Sequence, residues 1–93
     1  MGVIDILREH EREIKKRYGV KKIGVFGSYV RGEEKETNDI DILVEFEKPT
    51  YDNFIDLVFF LEELLRKKVD LVTPKGISPY ISPVVEQEVV WCE

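Results

Sequence analysis

The chain has 93 residues, which is enough for one hydrophobic core and too few for two independent ones. Its 19 acidic and 14 basic residues give a formal net charge of -5, which argues against broad, sequence-independent binding to nucleic acid. No apolar run approaches the roughly 18 residues that cross a membrane, and the first residues lack the features of a signal peptide. We therefore expect a single cytoplasmic domain over residues 1–93.

Helices and strands are expected to alternate along the chain. The first half is predicted to contain a helix over Val3–Tyr18, a strand over Lys22–Phe26, a tight turn and short helix over 27–32, a polar loop over 33–38 and a strand over Asp39–Phe46. The second half is predicted to contain a long helix over Asp52–Lys68, a strand over Val69–Thr73, a turn at Pro74–Gly76, a short helix or two turns over Ser78–Gln87 and a last strand within Glu88–Cys92. This order favours an α/β (α+β) fold in which helices pack on a small mixed β-sheet.

The chain has one histidine, His10, and one cysteine, Cys92. One histidine and one cysteine cannot supply a zinc cluster of several Cys and His ligands or a Ser-His-Asp triad of the usual kind. A single cysteine cannot form an internal disulfide. His10 lies among charged residues of the first helix and is expected to be a solvated surface residue. Any chemistry is therefore expected to depend on carboxylates.

The second predicted strand carries two acidic residues at alternating positions. Asp39 and Asp41 project to the same face, because side chains alternate across a strand. Two adjacent carboxylates repel each other unless a cation lies between them, and carboxylate oxygens are the usual protein ligands of Mg²⁺. The bland alternative is that both residues form the solvent face of an edge strand.

A third carboxylate, Asp70, lies within the apolar run Val69–Val72, where burying an unpaired charge would be costly. If its strand lies beside that of Asp39 and Asp41, all three can face one point, as two-metal phosphoryl or nucleotidyl transfer requires. This adjacency is an assumption of the sequence argument.

The turn at Gly27 and Ser28 is suited to hold an anion, since a glycine turn that opens a helix directs free backbone N–H groups outward. No Lys-Ser or Lys-Thr pair follows Gly32, so residues 27–32 are not a Walker A loop. Arg31 is expected either to contact a phosphate or to form a structural ion pair, and both interpretations are open.

Three segments together resemble the signature of the minimal nucleotidyltransferases (MNT proteins) of the DNA polymerase β superfamily. They are Gly-Ser-Tyr-Val-Arg-Gly at 27–32, Asn-Asp-Ile-Asp-Ile-Leu-Val at 38–44 and Val-Asp-Leu-Val at 69–72. The resemblance spans nearly the whole chain and implies a nucleotidyltransferase-like fold. It also implies that Gly27 and Ser28 hold a triphosphate, that Asp39 and Asp41 bind two Mg²⁺ ions, and that Asp70 contacts a metal ion and the attacking hydroxyl. Asn38 stands where many relatives have Ser, outside the metal-ligand positions.

Many members of this family are antitoxins that pair with HEPN-domain RNase toxins, and some transfer AMP from ATP to a tyrosine of the toxin. The resemblance therefore implies a Mg²⁺-dependent protein adenylyltransferase that acts as an antitoxin. One alternative is a nucleotidyltransferase with another protein, an RNA end or a small molecule as acceptor. The other is a non-catalytic antitoxin that neutralises its partner by binding.

Two apolar residues of the long predicted helix lie outside its hydrophobic stripe. Helical spacing places Ile55 and Phe59 among acidic and basic residues, so both are expected to be exposed. We hypothesise that they contact a HEPN partner or another copy of the chain, in a hetero- or homo-oligomer. The alternative is a pair of stray surface residues, or residues covered by a neighbouring loop.

Overall fold

The computed structural model describes residues 2–32 and 39–92. In chain order its elements are α1 (Val3–Glu9), α2 (Glu11–Tyr18), β1 (Val20–Phe26), α3 (Ser28–Arg31), β2 (Ile40–Phe46), α4 (Tyr51–Leu65), β3 (Val69–Val72), a 3-10 turn (Pro74–Gly76), α5 (Ser82–Glu88) and β4 (Val90–Trp91). The predicted loop over 33–38, with Asn38, lies outside the described residues. In the described ranges no helix is long and apolar enough to span a membrane.

The four described strands form one sheet in the order β3-β2-β1-β4. β1 pairs antiparallel with both β2 and β4, whereas β2 and β3 are parallel. The predicted mixed sheet with packed helices is therefore confirmed. The parallel pair is the arrangement that a helical crossover permits, and α4 supplies that crossover between β2 and β3.

Helices α1, α2 and α4 cover one face of the sheet. Alternate residues of the two central strands point toward them, and the fully buried side chains of this core are Leu7, Ile14, Ile23, Val25, Ile40, Ile42, Val44, Leu57, Leu61 and Cys92. The opposite face of β2 carries Asp41, Leu43 and Glu45, and the segment from Pro74 to Trp91 lies over its middle, where Leu43 is buried. The period-two alternation of β2 thus separates the core from the acidic residues.

The N-terminal helix is not continuous, contrary to the prediction over Val3–Tyr18. It breaks at His10, whose backbone has φ -105° and ψ 8°. The Nδ1 atom of His10 lies 2.8 Å from the carbonyl oxygen of Ile6, and its ring packs edge-on against Phe60 with centroids 6.3 Å apart. The expectation of a solvated His10 is wrong, because the helix break lets the ring fold back toward α4.

The long helix ends at Leu65, three residues before the predicted end, because Arg66 takes a left-handed φ of 57°. Its start is capped by Thr50, whose hydroxyl accepts a hydrogen bond from the Asn53 N–H at 3.1 Å. At the other end of the chain, Cys92 follows β4 and is fully buried, and its N–H donates to the Ile23 carbonyl at 2.9 Å. Burial raises the pKa of its thiol to about 11.

Candidate active site

The parallel pairing of β2 and β3 brings the predicted carboxylates together. Asp41 and Asp70 are direct partners in the register, and Asp39 lies two residues before Asp41 on the same face. The adjacency that the sequence argument assumed is therefore present. The acidic half of the site, as we term Asp39, Asp41 and Asp70, lies where the two strands begin.

The three carboxylates differ in their environment. Asp41 is half-buried, whereas Asp39 and Asp70 are exposed. The pKa of Asp41 is raised by desolvation and then by the neighbouring charges of Asp70 and Asp39. The expectation that the charge of Asp70 is costly to bury is wrong. Asp70 is exposed, because β3 is an edge strand whose alternate residues face solvent. The cost falls on Asp41, on the adjacent interior strand.

The chemistry of this donor set fits Mg²⁺, which commonly takes one or two carboxylates and completes its shell with water and substrate phosphates. In residues 2–32 and 39–92 no three Asp, Glu, His or Cys side chains converge closely enough to hold an ion by themselves. Water or phosphate oxygens would therefore supply the rest of the coordination. A bound cation would also relieve the repulsion that raises the pKa of Asp41.

The turn after β1 lies directly against the acidic half. Gly27 is buried with φ 77°, a left-handed conformation that favours glycine. A Cβ atom at this position would lie 2.2 Å from Oδ2 of Asp41. The close approach of the backbone to this carboxylate therefore requires glycine. The predicted tight turn and short helix are confirmed, with the N–H groups of Val30 and Arg31 donating to the Gly27 carbonyl at 3.1 and 3.2 Å.

Arg31 forms an ion pair that the sequence argument left as one of two interpretations. Its Nη1 atom donates to Oε1 of Glu88 at 2.5 Å, and the other carboxylate oxygen of Glu88 accepts the Gly27 N–H at 3.3 Å. The charge of Arg31 lowers the pKa of Asp41 and that of Glu88 raises it, after the larger effects of burial, Asp70 and Asp39. We term Gly27, Ser28, Arg31 and Glu88 the turn half of the site.

Glu88 is the site residue that the sequence argument missed. It lies 57 residues after Arg31, in a segment whose pattern predicted only a helix end and a last strand. The predicted last strand was the signal that could have identified Glu88. If that strand pairs antiparallel with β1, the residues that precede it lie beside the turn at the end of β1.

The predicted contact residues of α4 are only partly as expected. Phe59 is 66% exposed, but Ile55 is half-buried, so the expectation of exposure is wrong for Ile55. Tyr51 and Phe59 each lie one helical turn from Ile55, and neighbours at that spacing cover part of each other's surface. Tyr51 is itself 78% exposed. Tyr51, Ile55 and Phe59 therefore form a continuous row, which we call the α4 apolar stripe.

Comparison with known proteins agrees with this geometry. A family model described as the nucleotidyltransferase domain matches residues 7–92. The protein adenylyltransferase MntA of Thermococcus cleftensis is 51% identical over 87 residues, covering 92% of this chain and 88% of that protein. A solved structure of a candidate minimal nucleotidyltransferase is 34% identical with a TM-score of 0.82, and the match covers 97% of this chain and 95% of that chain.

The chain therefore belongs to the nucleotidyltransferase domain family. The resemblance to the minimal nucleotidyltransferases is confirmed, as is the nucleotidyltransferase-like fold. A more distant match is a chain in a solved complex of a tri-AMPylated HEPN toxin with an MNT antitoxin from Shewanella oneidensis. It is 20% identical with a TM-score of 0.67 over 97% of this chain and 71% of that chain, and at this identity it shows the fold alone.

Proposed function

We propose that this chain is a Mg²⁺-dependent protein adenylyltransferase that acts as the antitoxin of a HEPN/MNT pair in the cytoplasm. In this proposal a single domain transfers AMP from ATP to a tyrosine hydroxyl of the toxin. The observation that carries the proposal is the register pairing of Asp41 with Asp70 directly beside the Gly27 turn. The name of the Thermococcus relative supports the reaction, and the description of the Shewanella complex supports the partner.

The two halves of the site have complementary tasks in this reaction. The turn half binds the triphosphate at the turn formed by Gly27 and Ser28 and through Arg31, while the Gly27 N–H donates to Glu88. In the acidic half, Asp39 and Asp41 are the proposed ligands of two Mg²⁺ ions, which when bound neutralise phosphate charge. Phosphate and carboxylate are both negatively charged, so a cation between them would offset their mutual repulsion.

Asp70 is the proposed contact of the acceptor hydroxyl. It lies on the edge strand and is exposed, so a hydroxyl on another protein can reach it. The acceptor oxygen forms a bond to the α-phosphorus of ATP while the bond from that phosphorus to the bridging oxygen of pyrophosphate breaks. The proton of the hydroxyl leaves in the region of Asp70, and no covalent intermediate on the chain is required.

The exposed α4 apolar stripe is the proposed contact for the partner. Its aromatic members Tyr51 and Phe59 are 78% and 66% exposed, and aromatic side chains are enriched in the buried centres of protein interfaces. The half-buried Ile55 would lie at the middle of that contact. A second copy of this chain is the alternative occupant.

The test incubates the purified chain with Mg²⁺ and each α-labelled nucleoside triphosphate, with and without the HEPN partner. Label on protein and label on RNA are read separately for wild type and for Asp41→Asn, with Asp56→Asn as the control at an exposed aspartate of α4. We expect label from ATP on the toxin with wild type and the control only. Label on RNA would favour another acceptor, and a stable complex without any label would favour the non-catalytic antitoxin.

A further inference from the structure

The carboxylate of Glu88 connects the two donors of the turn half. It accepts the Gly27 N–H at 3.3 Å and the Arg31 guanidinium at 2.5 Å, over 61 and 57 residues of sequence. The Glu88 side chain is only 17% exposed, whereas that of Arg31 is 49% exposed. Glu88 therefore holds the guanidinium from its protein side, while much of the Arg31 side chain still faces solvent.

The register of β4 fixes this position. Val25 pairs with Val90 and Gly24 with Trp91, and continuing that antiparallel register by two residues brings Glu88 opposite Gly27. The approach of the two segments is close, because a Cβ on Gly24 would lie 2.7 Å from Cγ2 of Val89 and 2.9 Å from the Val90 carbonyl oxygen. The Val89 N–H also donates to the Val85 carbonyl at 2.8 Å, which ties the end of α5 to the strand. Glu88 is thus held by backbone on both of its sides.

We propose that Glu88 is a positioning residue for the nucleotide, which aligns Arg31 and the Gly27 turn so that both can contact the triphosphate. This inference rests on the proposed function. A guanidinium carries five N–H donors in a rigid plane, so one edge can bind Glu88 while another binds phosphate. Loss of Glu88 would remove an ion pair that orients the long Arg31 side chain, so nucleotide binding would have to order more of that side chain, at a cost in affinity.

Two other roles for Glu88 make different predictions. A carboxylate that competes with phosphate for the same donors would weaken nucleotide binding, so its removal would tighten binding. A carboxylate that only holds α5 in place would contribute to the free energy of unfolding and would act independently of Arg31. Nucleotide affinity and its dependence on Arg31 separate these roles from positioning.

The experiment measures binding of Mg²⁺-ATP by calorimetry and transfer kinetics for wild type, Glu88→Ala and Glu88→Gln. Glu86→Ala is the matched control, an exposed glutamate on the same helix. We expect Glu88→Ala to raise the Kd and the KM for ATP about 10-fold with kcat changed less than about 2-fold, because a group that acts through uniform binding affects KM. Glu88→Gln keeps one acceptor oxygen and should lie between wild type and Glu88→Ala, and Glu86→Ala should match wild type.

The decisive comparison uses Arg31→Ala alone and combined with Glu88→Ala. If Glu88 acts through Arg31, the combined loss of ATP affinity in the double variant is smaller than the sum of the two single losses. Additive losses, tighter binding by Glu88→Ala, or an unchanged Kd would each overturn the inference. Wild type that binds ATP but labels no acceptor would contradict the proposed function and leave the Kd values to decide the role of Glu88. Wild type that binds no ATP would overturn both.

Discussion

The acidic half and the turn half of the site are adjacent but are held in place by different parts of the fold. Asp41 and Asp70 meet because two neighbouring parallel strands pair, and burial followed by the neighbouring charges of Asp70 and Asp39 raises the pKa of Asp41. The Arg31 guanidinium and the Gly27 N–H instead contact the carboxylate of Glu88, far along the chain, so opposite charges meet there. A bound cation would stabilise the acidic half, whereas the turn half already pairs Arg31 with Glu88. One side of the site, the acidic half, is thus open to a ligand, whereas the other side, the turn half, is fixed by contacts within the chain.

Removing the acidic half should have the largest effect. We expect the Asp39→Asn/Asp41→Asn double variant to lose transfer by about 10³-fold or more, because an amide cannot replace a charged ligand of Mg²⁺. Circular dichroism should show an intact fold, since both residues lie outside the buried core. Retained transfer in the folded double variant would defeat the assignment of these residues.

Separating the two halves should have the next largest effect. In Gly27→Ala the new Cβ would displace the Asp41 carboxylate, so we expect transfer to fall about 10²-fold and stability to fall by about 2 kcal/mol. Gly32→Ala is the matched control, since Gly32 has a similar φ of 73° but no atom of residues 2–32 and 39–92 lies within 4 Å of its added Cβ. It should lose about 1 kcal/mol in urea unfolding. Equal losses of transfer in both variants would contradict a specific role for the close approach to Asp41.

Partner binding should be independent of both halves of the site, because the α4 apolar stripe lies on a different helix. We expect Phe59→Asp to raise the Kd for the HEPN partner about 10-fold or more. The free energy of unfolding of the variant should differ from that of wild type by less than about 0.5 kcal/mol. Tyr80→Asp is the control, an aromatic residue that is 91% exposed on a different segment. Complex formation is measured by titration calorimetry. An unchanged Kd for Phe59→Asp would remove the stripe as the contact.

The raised pKa of Asp41 predicts the smallest effect, with a definite sign. The folded state binds the Asp41 proton more tightly than the unfolded chain does, so ionisation costs stability. This cost is absent below the unfolded-state pKa and complete above the folded-state pKa. In EDTA at pH 7 we expect Asp41→Asn to be more stable than wild type by up to about 1 kcal/mol, given solvent screening of a half-buried group.

Urea unfolding across pH tests this sign. The advantage of Asp41→Asn should shrink as the pH falls through the raised pKa of the folded wild-type carboxyl, and it should be lost below the unfolded-state pKa. Added Mg²⁺ should stabilise wild type more than the variant, because only wild type keeps both carboxylates. A variant that is less stable than wild type at pH 7 in EDTA would show that the charge of Asp41 is not a cost to the fold.

The residues of the acidic half could be predicted from sequence because each lies in a local pattern, whereas the adjacency of their two strands had to be assumed. Alternation places Asp39 and Asp41 on one face, and an apolar run around Asp70 identifies its strand. The exposure of Asp70 could not be predicted, because it depends on β3 being an edge strand. Sheet order is a property of the whole fold, and no local pattern reports it.

The turn half could be predicted only in part, for the same reason. Gly27 and Ser28 are a local turn pattern, whereas the partner of Arg31 depends on the register of a two-residue strand at the other end of the chain. The break at His10 was also missed, because the apolar spacing of α1 and α2 continues across it and only the packing on Phe60 distinguishes the two helices.

Cys92 provides a chemical reporter of this architecture. With a pKa of about 11, about one thiol in 10⁴ is ionised at pH 7, and the side chain is fully enclosed. Thiol reagents should therefore modify the chain only when its last strand detaches from β1, so the labelling rate measures how often the strand opens. The same opening would release Glu88 from Gly27 and Arg31. The alkylation rate of Cys92 therefore also reports the fraction of molecules in which the turn half is assembled.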